Sequence, residues 1–164
     1  MTMARYNAWM NTKMYRICAE LSDEERKADR GAFFRSIHGT LDHLLAVDVM
    51  LLAHYTEGKP TFLPTGELCQ SFDELRRRRG EEDAKLLEWS RSLSDEWLEV
   101  PSSYTDHVTD LSHVVPRGFW IVHLFNHQTH HRGQITTLLT QLGQDIGSTD
   151  LHGIQDAPVS HQSS

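Results

Sequence analysis

A chain of 164 residues is about one domain's worth and long enough to bury a core without disulfides or a metal as a folding aid. With 38% hydrophobic and 24% charged residues, its composition is neither that of a membrane-spanning chain nor that of a disordered one. The 23 Asp+Glu outnumber the 16 Lys+Arg, and the net charge of −7 argues against a phosphate backbone as partner. The longest apolar run, Leu44 to Ala53, is broken by Asp48 and falls well short of the ~20 residues that cross a bilayer. The opening MTMARYNAWMN has no apolar stretch after Arg5, so no secretion signal is expected. Cys18 and Cys69 form neither a CxxC nor a disulfide framework, which suits a reducing cytoplasm. The expectation is a cytoplasmic single domain that binds neither nucleic acid nor membrane.

In chain order, the pattern reads as helix after helix. Residues Ala4 to Leu21 form a first amphipathic segment, ended by Ser22-Asp23-Glu24-Glu25 with its S-x-x-E capping pattern. A second helix is predicted from about Ala32 to Tyr55, apolar almost all round as a central bundle helix is, and the Gly58 to Gly66 stretch breaks it. Ser71-Phe72-Asp73-Glu74 caps a third helix to about Ser92, in which Gly80 costs about 1 kcal/mol relative to Ala. The run Arg76–Arg79 is surrounded by Asp73, Glu74, Glu81, Glu82 and Asp83, and reads as a solvated face with i,i+4 pairing. Between Val100 and Pro116 the periodicity is lost in favour of loop or short strand. A fourth helix runs from Arg117 to Leu142, with Gly143 as its stop. Trp9, Trp89, Trp97 and Trp120 read as core aromatics. The fold class is all-α, a four-helix bundle with an irregular crossover before the last helix. Residues 1–150 form the bundle domain and 151–164 a polar C-terminal tail.

Eleven histidines are many for this length, and position sorts them. Trp120, Leu124, Ile135, Leu138 and Leu142 define one stripe of the fourth helix, and His127 and His131 fall inside it. His123 and His130 lie at or beyond its edge. Two imidazoles at i,i+4 project from points ~6 Å apart, the spacing with which paired histidines clasp one ion. The bland alternative is two core histidines, each satisfied by a carbonyl or hydroxyl. A catalytic metal site needs a third ligand from another helix and an open position. On the second helix His43 shares a face with Thr40, Val47 and Met50, while His38 points away. His54 shares the face but lies ~16 Å further along, so His43 is the best third ligand and His54 the fallback. Asp106, His107, Asp110 and His113 in the crossover form a competing site. The chain has no HExxH, Glu-x-x-His, GxGxxG, P-loop or GxSxG, and neither cysteine has an obvious base nearby.

At His127-Gln128-Thr129-His130-His131-Arg132-Gly133-Gln134 the sequence resembles the DinB-like family of metal-binding four-helix bundles, whose last helix carries H-x-x-x-H-R-G-Q. Tyr6-Asn7-Ala8-Trp9-Met10-Asn11 is similar to the family's opening helix, and Ser36 to His43 to its second. The resemblance spans roughly residues 3–151. It implies a metal site of His43, His127 and His131, one divalent ion per chain (zinc or nickel), and a homodimer. Related members are thiol transferases and an isomerase that use low-molecular-weight thiols. The implied function is thus a metal-dependent thiol S-transferase acting on a small electrophile, with a metal-dependent hydrolase or a non-catalytic, stress-related metal-binding dimer as alternatives. DNA binding is not implied. Arg132 is a candidate to orient an anion or pair a carboxylate, Gly133 to permit close helix approach, and Gln134 to hydrogen-bond near the site. Neutral imidazole ligands imply metal loss as pH falls below their pKa, between pH 7.5 and about 5 on the reference His value.

Overall fold

Ser36 and Ser71 start the two central helices by the same device. Each Oγ accepts from a backbone N–H three residues on, Gly39 at 3.0 Å and Glu74 at 3.3 Å, satisfying a donor the first turn leaves free. The computed structural model describes residues 1–59, 66–105 and 111–154. Its long helices are α1 (Thr2–Cys18), α3 (Ile37–Glu57), α4 (Phe72–Ser92) and α6 (Arg117–Gln141). Two short helices, α2 (Asp23–Lys27) and α5 (Asp95–Leu98), and one antiparallel hairpin of β1 (Pro101–Thr105) and β2 (Ser112–Pro116) complete them. The main packing runs in a ring, α1 on α4, α4 on α3, α3 on α6 and α6 on α1. This is the expected all-α bundle, and the crossover before α6 is the hairpin, paired from Pro101↔Pro116 to Thr105↔Ser112. No helix among the described residues is long and apolar enough to cross a membrane.

Three boundaries differ from the pattern-based expectation. The first helix ends at Cys18 rather than Leu21, and the Ser22–Glu25 capping box opens a separate helix, α2, instead of closing the first. The second helix starts at Ile37, not Ala32, because Arg35 holds a left-handed φ of 66° that no helix accommodates. The short α5 under its Ser94 cap went unread, since four residues are too few for periodicity to register. Gly58 and Gly143 end α3 and α6 in the left-handed conformation at φ 67° and 75°.

The apolar core falls into two clusters. The larger joins Met10, Met14, Leu41, Leu45, Leu75, Ile135 and Leu139. The smaller joins Ala4, Val47, Leu51, Leu86, Leu124 and Phe125. Past α6 the chain folds back onto α1: Ile146 and Ile154 are buried in the larger cluster, and the Tyr6 hydroxyl donates to Thr149 O at 2.6 Å. The four tryptophans are not core residues but half-buried. Trp89 and Trp97 gather with Tyr55 in an aromatic group under Arg117, and Trp89 also packs on the edge of the smaller cluster.

The largest departure is Arg79. Arg76 and Arg77 are exposed as the solvated-face reading requires, but Arg79 turns inward and is only 3% exposed. Its guanidinium pairs with Asp48 of α3 at 2.8 Å and with Asp83 one turn along α4 at 2.9 Å. Asp83 also accepts from Asn11 of α1 at 2.9 Å, and Asp48 from Gln128 of α6. Asn7 accepts from Arg132 of α6 and donates weakly to Asp83. Two guanidiniums and two carboxylates therefore cancel inside the bundle, and all four long helices contribute. Burial still raises the Asp48 pKa to about 6, with Arg79 opposing it. Removing one member leaves the others charged and buried, the costly case. Arg79→Met is expected to lose about 3–5 kcal/mol of stability in urea denaturation, whereas Arg77→Met should stay within about 0.5 kcal/mol.

Candidate metal centre

His43 sits mid-way along the first half of α3, and His127 and His131 follow one turn apart on the facing α6. Because α3 packs directly on α6, the three rings converge: their centroids stand 5.0, 4.9 and 4.5 Å apart. One nitrogen from each lies within 4.8 Å of the other two, and no other group of three His, Cys, Asp or Glu does so among the described residues. His131 is buried, while His43 and His127 are half-buried and keep some access to solvent.

Two neighbours set the ring orientations. Gln134 Oε1 accepts from His131 Nδ1–H at 2.7 Å, while the Gln134 amide donates to His130 Nε2 at 3.2 Å. A proton held on Nδ1 leaves the Nε2 lone pair of His131 free to act as a ligand. From the loop ahead of α3 the Phe34 ring stacks on His43, 3.8 Å between centroids and 20° between planes, and meets His131 edge-on at 5.4 Å.

Electrostatics favour neutral rings. Burial is the main cause of the depressed proton affinity of all three, taking His43 to about 4 and His127 to about 3. The neighbouring imidazoles lower His43 and His127 further, whereas the bond to Gln134 partly offsets the fall at His131. This moves the proton competition expected at ordinary imidazole pH to more acidic values. The donor set fits a divalent ion. His43 Nε2 and His127 Nε2 face each other at 3.0 Å, and two nitrogens each about 2.0–2.1 Å from one ion stand roughly 3 Å apart. His127 Nδ1 is buried with no hydrogen-bond partner among the described residues.

The other histidines are placed differently. His38 is buried on the opposite side of α3 and donates from Nε2 to Cys69 O at 2.8 Å, while Asp42 accepts from the Leu68 and Cys69 N–H groups at 2.7 Å each. Together they pin the segment ahead of α4 and stay clear of the trio. His54 bonds Lys59 O through Nδ1 and takes no part. Of the competing crossover set, His113 is exposed on β2, and Asp106, His107 and Asp110 lie outside the described residues. His123 and His130 are exposed. Arg132 bonds no carboxylate directly, although Asp48 and Asp83 are its charge neighbours inside the bundle. It is buried, donates to Asn7 and lies over the Tyr6 ring at 5.3 Å, because its place on α6 turns it toward α1. Gly133 is exposed, and a Cβ there would meet nothing within 4 Å, so no close helix approach depends on it. Gln134 has the expected role near the site. Phe34 was missed, since the sequence reading takes it into the second helix, whose observed start at Ile37 leaves it in the preceding loop. Asp48 was visible as the one charge in an apolar run, and Asn7 and Asn11 as an i,i+4 pair, yet nothing local shows what they pair with.

An all-α bundle whose second and last long helices converge on three neutral imidazoles belongs to a recognisable class. The chain is a member of the DinB family, whose family model matches residues 1–159. No match was found among curated proteins.

Gln134→Leu is expected to weaken metal binding about 10–100-fold with the fold intact, read by cobalt(II) titration beside circular dichroism. A second expectation concerns the metal-free protein. His43 and His127 bind protons less readily folded than unfolded, so their contribution to stability is complete above about pH 6.5. It is lost as pH falls toward 4 and then 3. Asp48, with its raised pKa, acts in the opposite sense. The measurement is therefore differential: between pH 7 and 4.5 the melting temperature of wild type should fall further than that of His127→Gln.

Proposed function

We propose that the chain is a metal-dependent protein holding one divalent ion, zinc or nickel, at His43, His127 and His131, and that it works as a thiol S-transferase on a small electrophile. The observation carrying the metal reading is the convergence of three nitrogens from two helices within 4.8 Å. Family membership supports it. When bound, the ion supplies a positive charge that favours the thiolate form of a low-molecular-weight thiol at neutral pH.

The chain's own residues do the rest. His43 and His127 are neutral at pH 7 because burial disfavours their charged forms, so their lone pairs are available without prior proton loss. Gln134 holds the His131 proton on Nδ1 and directs Nε2 inward. Phe34 stacks on His43 and meets His131 edge-on, which fixes the plane of the His43 ring. The half-exposed edges of His43 and His127 leave an approach for a small molecule. Three protein ligands with one side open is the arrangement of a catalytic rather than a closed structural site.

Elemental analysis is the test, on wild type and on the His127→Ala/His131→Ala variant, both purified without added metal or affinity histidines. The expected result is close to one divalent ion per chain in wild type and none in the variant. Metal-loaded protein should then accelerate transfer of a low-molecular-weight thiol to a halogenated nitroaromatic, in proportion to metal content. No metal in wild type, even after reconstitution at neutral pH, would make these core histidines and the protein a non-catalytic bundle. Metal without thiol transfer would retire the transferase reading alone.

A further inference from the structure

Between α2 and α3 the chain passes through residues 28–36, a loop built more tightly than a connector needs. Arg30 N–H donates to Arg35 O at 2.7 Å and Arg35 N–H to Ala32 O at 2.8 Å. Asp29 accepts from Gly31 N–H at 3.0 Å and pairs with the Arg35 guanidinium at 2.9 Å. Arg35 is the one non-glycine residue at positive φ among the described residues, a conformation that persists only where its surroundings over-determine it. The end of the loop is seated on the first turn of α3. A Cβ on Gly39 would stand 2.4 Å from Phe34 O, so a glycine there is what lets the Phe34 backbone come so close.

What this loop holds in place is a pair of aromatic rings. Phe34 lies flat on His43 and edge-on to His131. Phe33 packs edge-on against Phe34 at 4.8 Å, yet is 83% exposed, more than any other large hydrophobic residue described. An exposed phenylalanine alone needs no explanation. This one is anchored by a strained, ion-paired loop one ring away from the histidine trio. Its neighbours along the loop, Asp29, Gly31 and Arg35, are exposed as well, and none of them is apolar, so the bare apolar surface of the loop is a single ring. A protein partner needs ~1,000 Å² or more, which one ring does not offer. Through Phe34, which lies on the half-buried His43, the bare Phe33 ring adjoins the trio at one remove, and a flat apolar group would cover it.

We propose that Phe33 and Phe34 form an aromatic lip that binds the apolar, aryl part of the small molecule presented to His43, His127 and His131. Phe33 is the specificity-determining contact, and Phe34 positions the His43 ring. The inference rests on the reading of the trio as the reactive centre and adds to it a substrate class, an aryl or similarly flat apolar compound.

Two titrations test it. Cobalt(II)-loaded protein is titrated with benzyl mercaptan and with mercaptoethanol, followed by the visible spectrum of the metal. Metal-free protein is titrated with benzyl alcohol, followed by the histidine ring resonances in NMR. Phe33→Ala is expected to weaken benzyl mercaptan about five- to tenfold and benzyl alcohol in the same direction. Affinity for cobalt and for mercaptoethanol should not change. Equal effects on both thiols, or none on either, would overturn the lip while leaving the metal reading intact. Failure of wild type to bind cobalt would overturn the metal reading, and the benzyl alcohol titration would still decide the lip. A Phe33→Ala variant that changes only self-association would assign the ring to a contact between copies and overturn the proposal.

Discussion

The pairing of Arg79 with Asp48 and Asp83 is the constraint on which the rest of the bundle depends. A guanidinium buried to this degree stays charged, and its location is set by where two carboxylates can meet it. Apolar packing tolerates small slips of one helix along another, whereas a hydrogen-bonded ion network does not. The network also reaches the helices of the candidate site beside its own residues. Gln128 follows His127, Arg132 follows His131, and Asp48 lies about a turn and a half beyond His43 on α3. With Gln128 bonded to Asp48 and Arg132 to Asn7, the rise and rotation of α6 against α3 are set from within. The three imidazoles are thereby held together on facing helices.

The same interior hosts two opposite electrostatic solutions. In the ion network buried charges of opposite sign offset one another, with Arg79 bonded to both carboxylates. In the histidine trio burial suppresses charge instead, leaving neutral rings whose inward nitrogens are close together. A cation placed among them would gain from three lone pairs already desolvated and oriented. The accessory bonds around the trio serve this end: Gln134 selects a tautomer, and the Phe34 stack selects a ring plane. Neither touches the network, so loss of either should disturb the site before the fold.

How much of this was legible in the sequence differs by element. The four long helices and the α6 stripe were readable because amphipathic periodicity over 17–25 residues accumulates signal faster than local exceptions erase it. His43 stood out from His38 and His54 by face and axial distance alone. The second helix, expected from about Ala32, begins only at Ile37, so residues 32–36 belong to the loop instead. The left-handed Arg35 of that loop is imposed by Asp29 and by the seat on Gly39, neither of which is a turn signal.

Sequence alone determined the class of the fold, the face on which the histidines lie, and their i,i+4 spacing, since these follow from helix geometry and are local. Four consecutive arginines are equivalent on a charge count, but Arg79 falls on the Phe72, Leu75 and Leu86 face of α4, with Asp83 one turn along. What only the tertiary structure decided is its second partner, Asp48 on α3. The same holds for Phe34 on His43 and for the exposure of Phe33. Contacts between segments far apart along a helix axis, or across a loop, depend on where the packed helices bring them, and no local pattern encodes that position.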